Sequence, residues 1–176
     1  MSLARLGVEV PIIETGRLIL REPREGDLDA VAGFMASDRS RFVGGPADRQ
    51  GAWRALLTGI GHWVLRGYGY WTVEDRATGT VAGRVGVVFH AVDWPEPELG
   101  WHIYEGFEGR GLAEEAARAA RAGVARHMGL TRLISLVAPD NARSRRLAER
   151  LGAVTEGEGM LFGKPALIYR HPAEAA

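Results

Sequence analysis

Residues Arg17 to Arg21 (RLILR) alternate polar and apolar side chains, the period of a half-buried strand. Pro23 and Gly26-Asp27 end that pattern, and Leu28 to Met35 takes up helical spacing. After a turn at Gly44-Gly45-Pro46, the segment Gln50 to Arg66 repeats Trp53, Leu56, Leu57, Ile60 and Val64 near a period of 3.6, a second helix. Tyr70 to Glu74 alternates, Asp75 to Gly79 is turn chemistry, and Thr80 to Phe89 is rich in Val. Together they predict a hairpin. Trp94-Pro95-Glu96-Pro97 interrupts, and Glu98 to Tyr104 resumes as a strand. The spacing then predicts a long helix over Leu112 to His127, a strand over Thr131 to Val137 and a short helix over Ala142 to Leu151. Turns at Glu156-Gly157-Glu158-Gly159 and Gly163-Lys164-Pro165 frame two closing strands. This order predicts an α+β (mixed α/β) fold. Its sheet is mostly antiparallel, with one parallel strand–helix–strand crossover.

The 176 residues suit one domain spanning 1–176, with no repeat or linker dividing it. Hydrophobic residues make up 46%, enough for a core. The absence of cysteine excludes disulfides, thiolate nucleophiles and Cys-ligated zinc, and fits a reducing cytoplasm. The five histidines show no metal-ligand spacing, so no metal is expected. No apolar run reaches the length of a membrane span, and Met1 to Pro11 lacks the apolar core of a secretory signal. A cytoplasmic chain that binds neither membrane nor nucleic acid is expected, since the formal net charge is zero. The charge is uneven, however. Glu108 to Arg150 holds nine Arg against five Asp or Glu, which suits a phosphate-bearing small ligand or simply a solvated helix face.

The crossover opens with Glu108-Gly109-Arg110-Gly111-Leu112-Ala113, where a strand ends and a helix starts. Glycines let backbone N–H groups approach an anion, and the first helical turn adds unpaired donors and the positive end of the dipole. A P-loop needs Lys and then Ser or Thr after the last Gly, but Leu112 follows Gly111. A dinucleotide fingerprint needs Gly or Ala where Glu114 stands. The segment is similar to the acyl-CoA loop of the GNAT acetyltransferase superfamily, Gln/Arg-x-x-Gly-x-Gly/Ala. Gly111 and Ala113 match it, and Glu108 departs from it.

Further marks extend the resemblance from Thr15 to about Tyr169. They are Thr15-Gly16-Arg17-Leu18-Ile19-Leu20-Arg21, Gly69-Tyr70-Trp71-Thr72-Val73, Ala82-Gly83-Arg84-Val85-Gly86, Glu98-Leu99-Gly100-Trp101, Asn141-Ala142-Arg143-Ser144 and Leu151-Gly152. In their order and spacing the chain resembles the branch that includes the ribosomal-protein N-terminal acetyltransferases. The resemblance implies a strand splayed from its parallel neighbour, with the pantetheine of acetyl-CoA filling the gap. It assigns backbone pairing with pantetheine to Trp101 and Ile103, and pyrophosphate binding to the amides of Gly109, Arg110, Gly111, Leu112 and Ala113. From the residues alone, only the anion cradle follows. The Arg110 side chain is either a phosphate contact or a solvent-facing cation. Asn141 can cap the helix, bind pantetheine or do both.

Acyl transfer to an amine needs a base for the amine and a leaving thiolate. Glu98 is the base candidate, because it lies in the key strand beside the expected acyl site; otherwise it anchors a loop. His102 shares its face of a regular strand but lies roughly 13 Å away, so a partnership requires a bulge, for which Gly100 is the candidate. His102 is therefore read as structural. The family's leaving-group Tyr falls at Ala148 here. Ser144 is the remaining hydroxyl in that helix and is assigned to the cofactor sulfur by the resemblance, or to helix capping by its position. Tyr104 and Tyr169 are weaker substitutes. Phe42, Trp53, His90 and Trp94 are candidates for the acceptor pocket, or for core.

The expected activity is acetyl-CoA-dependent N-acetylation of a primary amine, on a protein N-terminus or a small molecule; a homodimer is compatible with it. A non-catalytic acyl-CoA-binding or sensor module, and a nucleotide-binding enzyme using the same glycines, remain as alternatives.

Overall fold

The computed structural model describes residues 7–89 and 94–175. In chain order the elements are β1 (Ile13–Glu14), β2 (Leu18–Arg21), α1 (Leu28–Ala36), α2 (Arg49–Arg66), β3 (Tyr70–Asp75), β4 (Val81–Val88), β5 (Glu98–Ile103), α3 (Leu112–Met128), β6 (Ile134–Val137), α4 (Ala142–Arg150), β7 (Val154–Leu161) and β8 (Lys164–Arg170). The strands form one sheet in the order β1-β2-β3-β4-β5-β6-β8-β7. Every neighbouring pair is antiparallel except β5 and β6, which the crossover helix α3 joins in parallel. This is the predicted mixed α/β layout. No helix among the described residues is long and apolar enough to cross a membrane.

Strand periodicity sorts the side chains. Val85, Val87 and Leu99 alternate with Arg84, Gly86, Gly100 and His102. The first set is fully buried with Leu18, Leu20 and Trp71 against Ala116, Ala117, Ala120 and Val124 of α3. Small residues let the helix approach closely: a Cβ at Gly123 would lie 2.3 Å from Ile13 Cδ1. The second set faces α1, where the Phe34 ring stacks on His102 at 5.2 Å. Helix α2 starts at Asp48, whose carboxylate accepts from the Gly51 N–H, and stops at Gly67 in the left-handed region.

A buried polar knot ties β2 and β3 to the start of α1. Arg21 pairs with Asp27 at 2.8 Å and with Glu74 at 2.7 Å, and the Thr72 hydroxyl donates to Asp27 at 2.7 Å. Burial pushes the Asp27 carboxyl up, but hydrogen bonds from Arg21, Thr72 and the Arg24 backbone outweigh it and hold it below its ordinary value.

Two segments depart from the periodicity. Glu156 to Gly159, expected as a turn, lies inside β7, with a register shift between Thr155 and Gly157. Gly159 is there for closeness, since a Cβ would sit 3.3 Å from Ile168 Cδ1. The hairpin turn falls at Phe162–Gly163, with φ of 51° and 73°, at the start of the second expected turn, and Lys164-Pro165 already belongs to β8. Two left-handed residues match the twist of a two-residue hairpin. β6 starts at Ile134 rather than Thr131. At Ile134 its pairing with β8 begins, opposite Arg170, and among the described residues it makes its one register pair with β5, at Glu98.

Candidate active site

That single pair is where the site begins. Beyond it β5 and β6 part, and side chains take over the bridging. Glu98 Oε1 accepts from the Leu136 N–H at 3.1 Å, and the Ser135 hydroxyl donates to Leu99 O at 2.6 Å. The Tyr104 N–H bonds Ala82 O on β4, so by alternation the backbone of Leu99, Trp101 and Ile103 faces the other way, into the gap. Ser135 holds Leu99 O, Arg39 donates to Ile103 O at 2.9 Å, and among the described residues no strand pairs with Trp101 or Ile103 on that side. An extended amide-bearing chain fits such an edge.

The gap leads to the glycine loop. Gly106, Gly109 and Gly111 have φ of 85°, 70° and 75°. Gly111 caps α3 with no side-chain bond to the helix, so the first-turn amides, including those of Leu112 and Ala113, end the helix without a capping side chain. Thr15 and Arg17 brace this turn from the β1–β2 corner. Both bond Glu115, at 2.6 and 2.7 Å, and Arg17 also donates to Arg110 O at 2.7 Å. Burial raises the Glu115 carboxyl, but these bonds prevail and hold it low. The Arg110 side chain turns away, toward Asp75 at 3.6 Å and over the Phe107 ring. Glu108 forms an ion pair with Arg39, so a cation stands near the position where the resembling family carries one. Burial and nearby Arg143 lower the pKa of Arg39. The bracing role of Thr15 and the position of Arg39 escaped the sequence, because each acts across a long separation with no local periodicity.

On the far side of the gap, Asn141 Oδ1 accepts from the Ser144 N–H at 3.2 Å, the N-cap of α4. Ser144 Oγ accepts from the Trp101 indole at 3.3 Å. Ala148 is fully buried beside Val137, Ala153 and Tyr169. The two substitute tyrosines are committed elsewhere. Tyr169 donates to Glu149 and accepts from Arg145, each at 3.3 Å, and Tyr104 stacks on Phe34.

One cavity of about 210 Å³ joins the β5–β6 gap to the start of α4; Glu98, Trp101, Asn141 and Ser144 all line it, whereas Ile103 and the glycine loop from Gly109 to Ala113 lie outside its lining. Glu98 is pushed up to about 8 by burial, against the opposing hydrogen bonds of the Leu136 N–H and the Trp94 side chain. His102 is held well below its ordinary value by burial and by Arg84, whose Nε donates to His102 Nδ1 at 2.7 Å. It is a neutral acceptor fixed by its neighbours. No bulge brings it to Glu98, because β4 and β5 stay in register from Val88–Glu98 to Arg84–His102. Gly100 has another purpose. A Cβ there would lie 2.2 Å from the Tyr70 hydroxyl, and one at Gly86 would lie 2.6 Å from Tyr70 Cα. Tyr70 thus lies across two glycines into the cavity, between Glu98 and His102. Tyr70, Gly86 and Gly100 sit in the quoted motifs, but only the pairing of β3, β4 and β5 reveals that they share a face. Burial and Glu98 raise the Tyr70 hydroxyl above its ordinary value.

Of the expected pocket aromatics, Phe42 lines the cavity, Trp94 lies by Glu98, and Trp53 lines no part of it. His90 lies outside the described residues. His62 and Phe162 also line it.

Residues 17–154 match the family model of the acetyltransferase (GNAT) domain. An acetyltransferase from Agrobacterium tumefaciens strain C58 is 37% identical in sequence and superposes with a TM-score of 0.84 over 93% of this chain and 95% of that one. An uncharacterised N-acetyltransferase, YoaA, of Bacillus subtilis (strain 168) is 28% identical over 152 residues, 84% of this chain and 85% of its own. The ribosomal-protein acetyltransferase RimL, at 20% identity, shares the fold with a TM-score of 0.75 over 94% of this chain and 100% of that one. With a splayed parallel pair, a glycine loop opening the crossover helix, and a family match over most of its length, the chain belongs to the GNAT acetyltransferase family.

Proposed function

We propose that this protein transfers the acetyl group of acetyl-CoA directly to a primary amine, with Glu98 as the base. The observation that carries the reading is a buried carboxylate, pushed up to about 8, at the point where β5 and β6 part. A base poised near neutral pH both accepts a proton and releases it again. Support for the co-substrate comes from RimL, whose structure was determined in complex with coenzyme A.

When bound, acetyl-CoA supplies an activated acetyl thioester. The backbone edge of Trp101 and Ile103 holds the pantetheine amides, and the amides from Gly109 to Ala113 hold the pyrophosphate. Glu98 takes a proton from the amine as its nitrogen bonds the acetyl carbon and the carbon–sulfur bond breaks. Ser144 Oγ accepts from the Trp101 indole, which leaves the hydroxyl hydrogen to point at the departing sulfur. A CoA thiol resembles a free Cys thiol, with a pKa of roughly 8.5, so this help is modest. Residues of α2, with Phe42 and Phe162, form walls of the cavity that would receive the acceptor.

The test is ligand-dependent melting together with thiol release. CoA stabilises a protein that binds it only when folded, and NAD and ATP do not. Thiol release from acetyl-CoA follows addition of a suitable primary amine. Stabilisation by NAD without stabilisation by CoA contradicts the reading.

A further inference from the structure

The cavity holds a cation that the transfer chemistry does not use. Arg84 lies on β4 opposite His102 and is half-buried. Its guanidinium is fixed at two points: Nε donates to His102 Nδ1 at 2.7 Å, and its centre stands 4.9 Å from the Tyr70 ring centroid. Among the described residues no carboxylate pairs with it. Two other shielded arginines, by contrast, are neutralised. Arg21 holds Asp27 and Glu74, and Arg170 holds Glu96 and Glu156. A partly buried guanidinium whose neighbours are a neutral imidazole and an aromatic ring keeps its planar, forked set of donors available for an anion. Burial and Arg84 itself keep His102 in the neutral, accepting form that orients this side chain.

Arg84 and Glu98 line the same cavity, with the Tyr70 hydroxyl between them over Gly100. Glu98 sits at the reacting end and Arg84 four residues farther along the strand pair. The volume of about 210 Å³ is small beside the roughly 300–1,000 Å³ of a drug-sized site. We propose that Arg84 anchors a carboxylate on the acceptor, so that the protein acetylates a small amine that also carries a carboxylate, with the amine at Glu98 and the acid at Arg84. The proposal rests on the transferase reading and names its substrate class.

The experiment compares amino acids and ω-amino acids of increasing spacing with their carboxamides, following thiol release from acetyl-CoA. The wild-type protein is expected to favour the best acid over its amide at least tenfold in kcat/KM, mostly through KM. That preference corresponds to about 1.4 kcal/mol. In Arg84→Met the ratio of acid to amide collapses toward one while CoA still raises the melting temperature; Arg84→Lys keeps part of the preference. Acids and amides used equally well by the wild-type protein overturn the proposal and leave the transferase reading standing. Faster use of peptides with an acidic second residue than of any free amino acid also overturns it, in favour of a protein N-terminus. Absence of turnover with every amine overturns the transferase reading and the acceptor class with it.

Discussion

At the scale of single residues, Glu98 has opposite consequences for stability and chemistry. Its folded pKa of about 8 lies above the ordinary carboxylate value, so the folded protein binds a proton that the unfolded chain has released. Glu98 therefore lowers stability as pH rises from the ordinary carboxylate range toward 8. Glu98→Gln removes an ionisable group that is costly to bury, so it is expected to be more stable than the wild-type protein near pH 8. Near pH 5 the difference shrinks, which denaturant unfolding at the two pH values measures. Asp27 has the opposite sign. Its carboxyl is held low, so its contribution is present above the ordinary carboxylate pKa and disappears as pH falls through its folded value. Asp27→Ala leaves Arg21 buried beside only Glu74, and is expected to cost about 3–5 kcal/mol in unfolding free energy.

At the scale of elements, the turn into α3 and the start of α4 divide the work of holding the co-substrate. Gly111 has φ of 75°, and a Cβ there would meet only Arg17 Nη2, at 3.6 Å. The obstacle to substitution is backbone strain, not space. Gly111→Val is expected to lose about 1–3 kcal/mol of stability and most CoA affinity, whereas Gly111→Asn, which tolerates the left-handed region, keeps more of both. Calorimetric titration with CoA on both variants checks this. For α4, Ser144→Ala is expected to slow transfer no more than about tenfold, or about 1.4 kcal/mol of barrier. Asn141→Ala, which removes the N-cap, raises the Michaelis constant for acetyl-CoA; steady-state kinetics at saturating amine separate the two. These elements were legible in the sequence because their signals are local: a glycine pair before a helical period, and an Asn three residues before a Ser. The two closing strands were legible too, but the extent of β7 was not, because Glu156 to Gly159 has turn composition while its pairing with β8 across Gly157–Ile168 and Gly159–Ala166 is set by a partner strand.

At the scale of the whole molecule, the sheet order and the crossover follow from the alternation of periods along the chain. The active-site face does not, because it is assembled by register. Tyr70, Arg84, Gly86, Glu98, Gly100 and His102 come from three strands, and a shift of one residue in either pairing turns some of them to the opposite face. The function proposed here depends on that assembly placing one buried carboxylate at the fork of β5 and β6. The most direct test is the rate of thiol release from acetyl-CoA with one fixed amine, measured for the wild-type protein and Glu98→Gln side by side on both sides of pH 8. If Glu98 is the base, the wild-type rate rises as pH passes through about 8, and the Glu98→Gln rate is lower by about 10²–10⁴-fold with CoA affinity intact. Equal rates and identical pH profiles for the two proteins contradict that role.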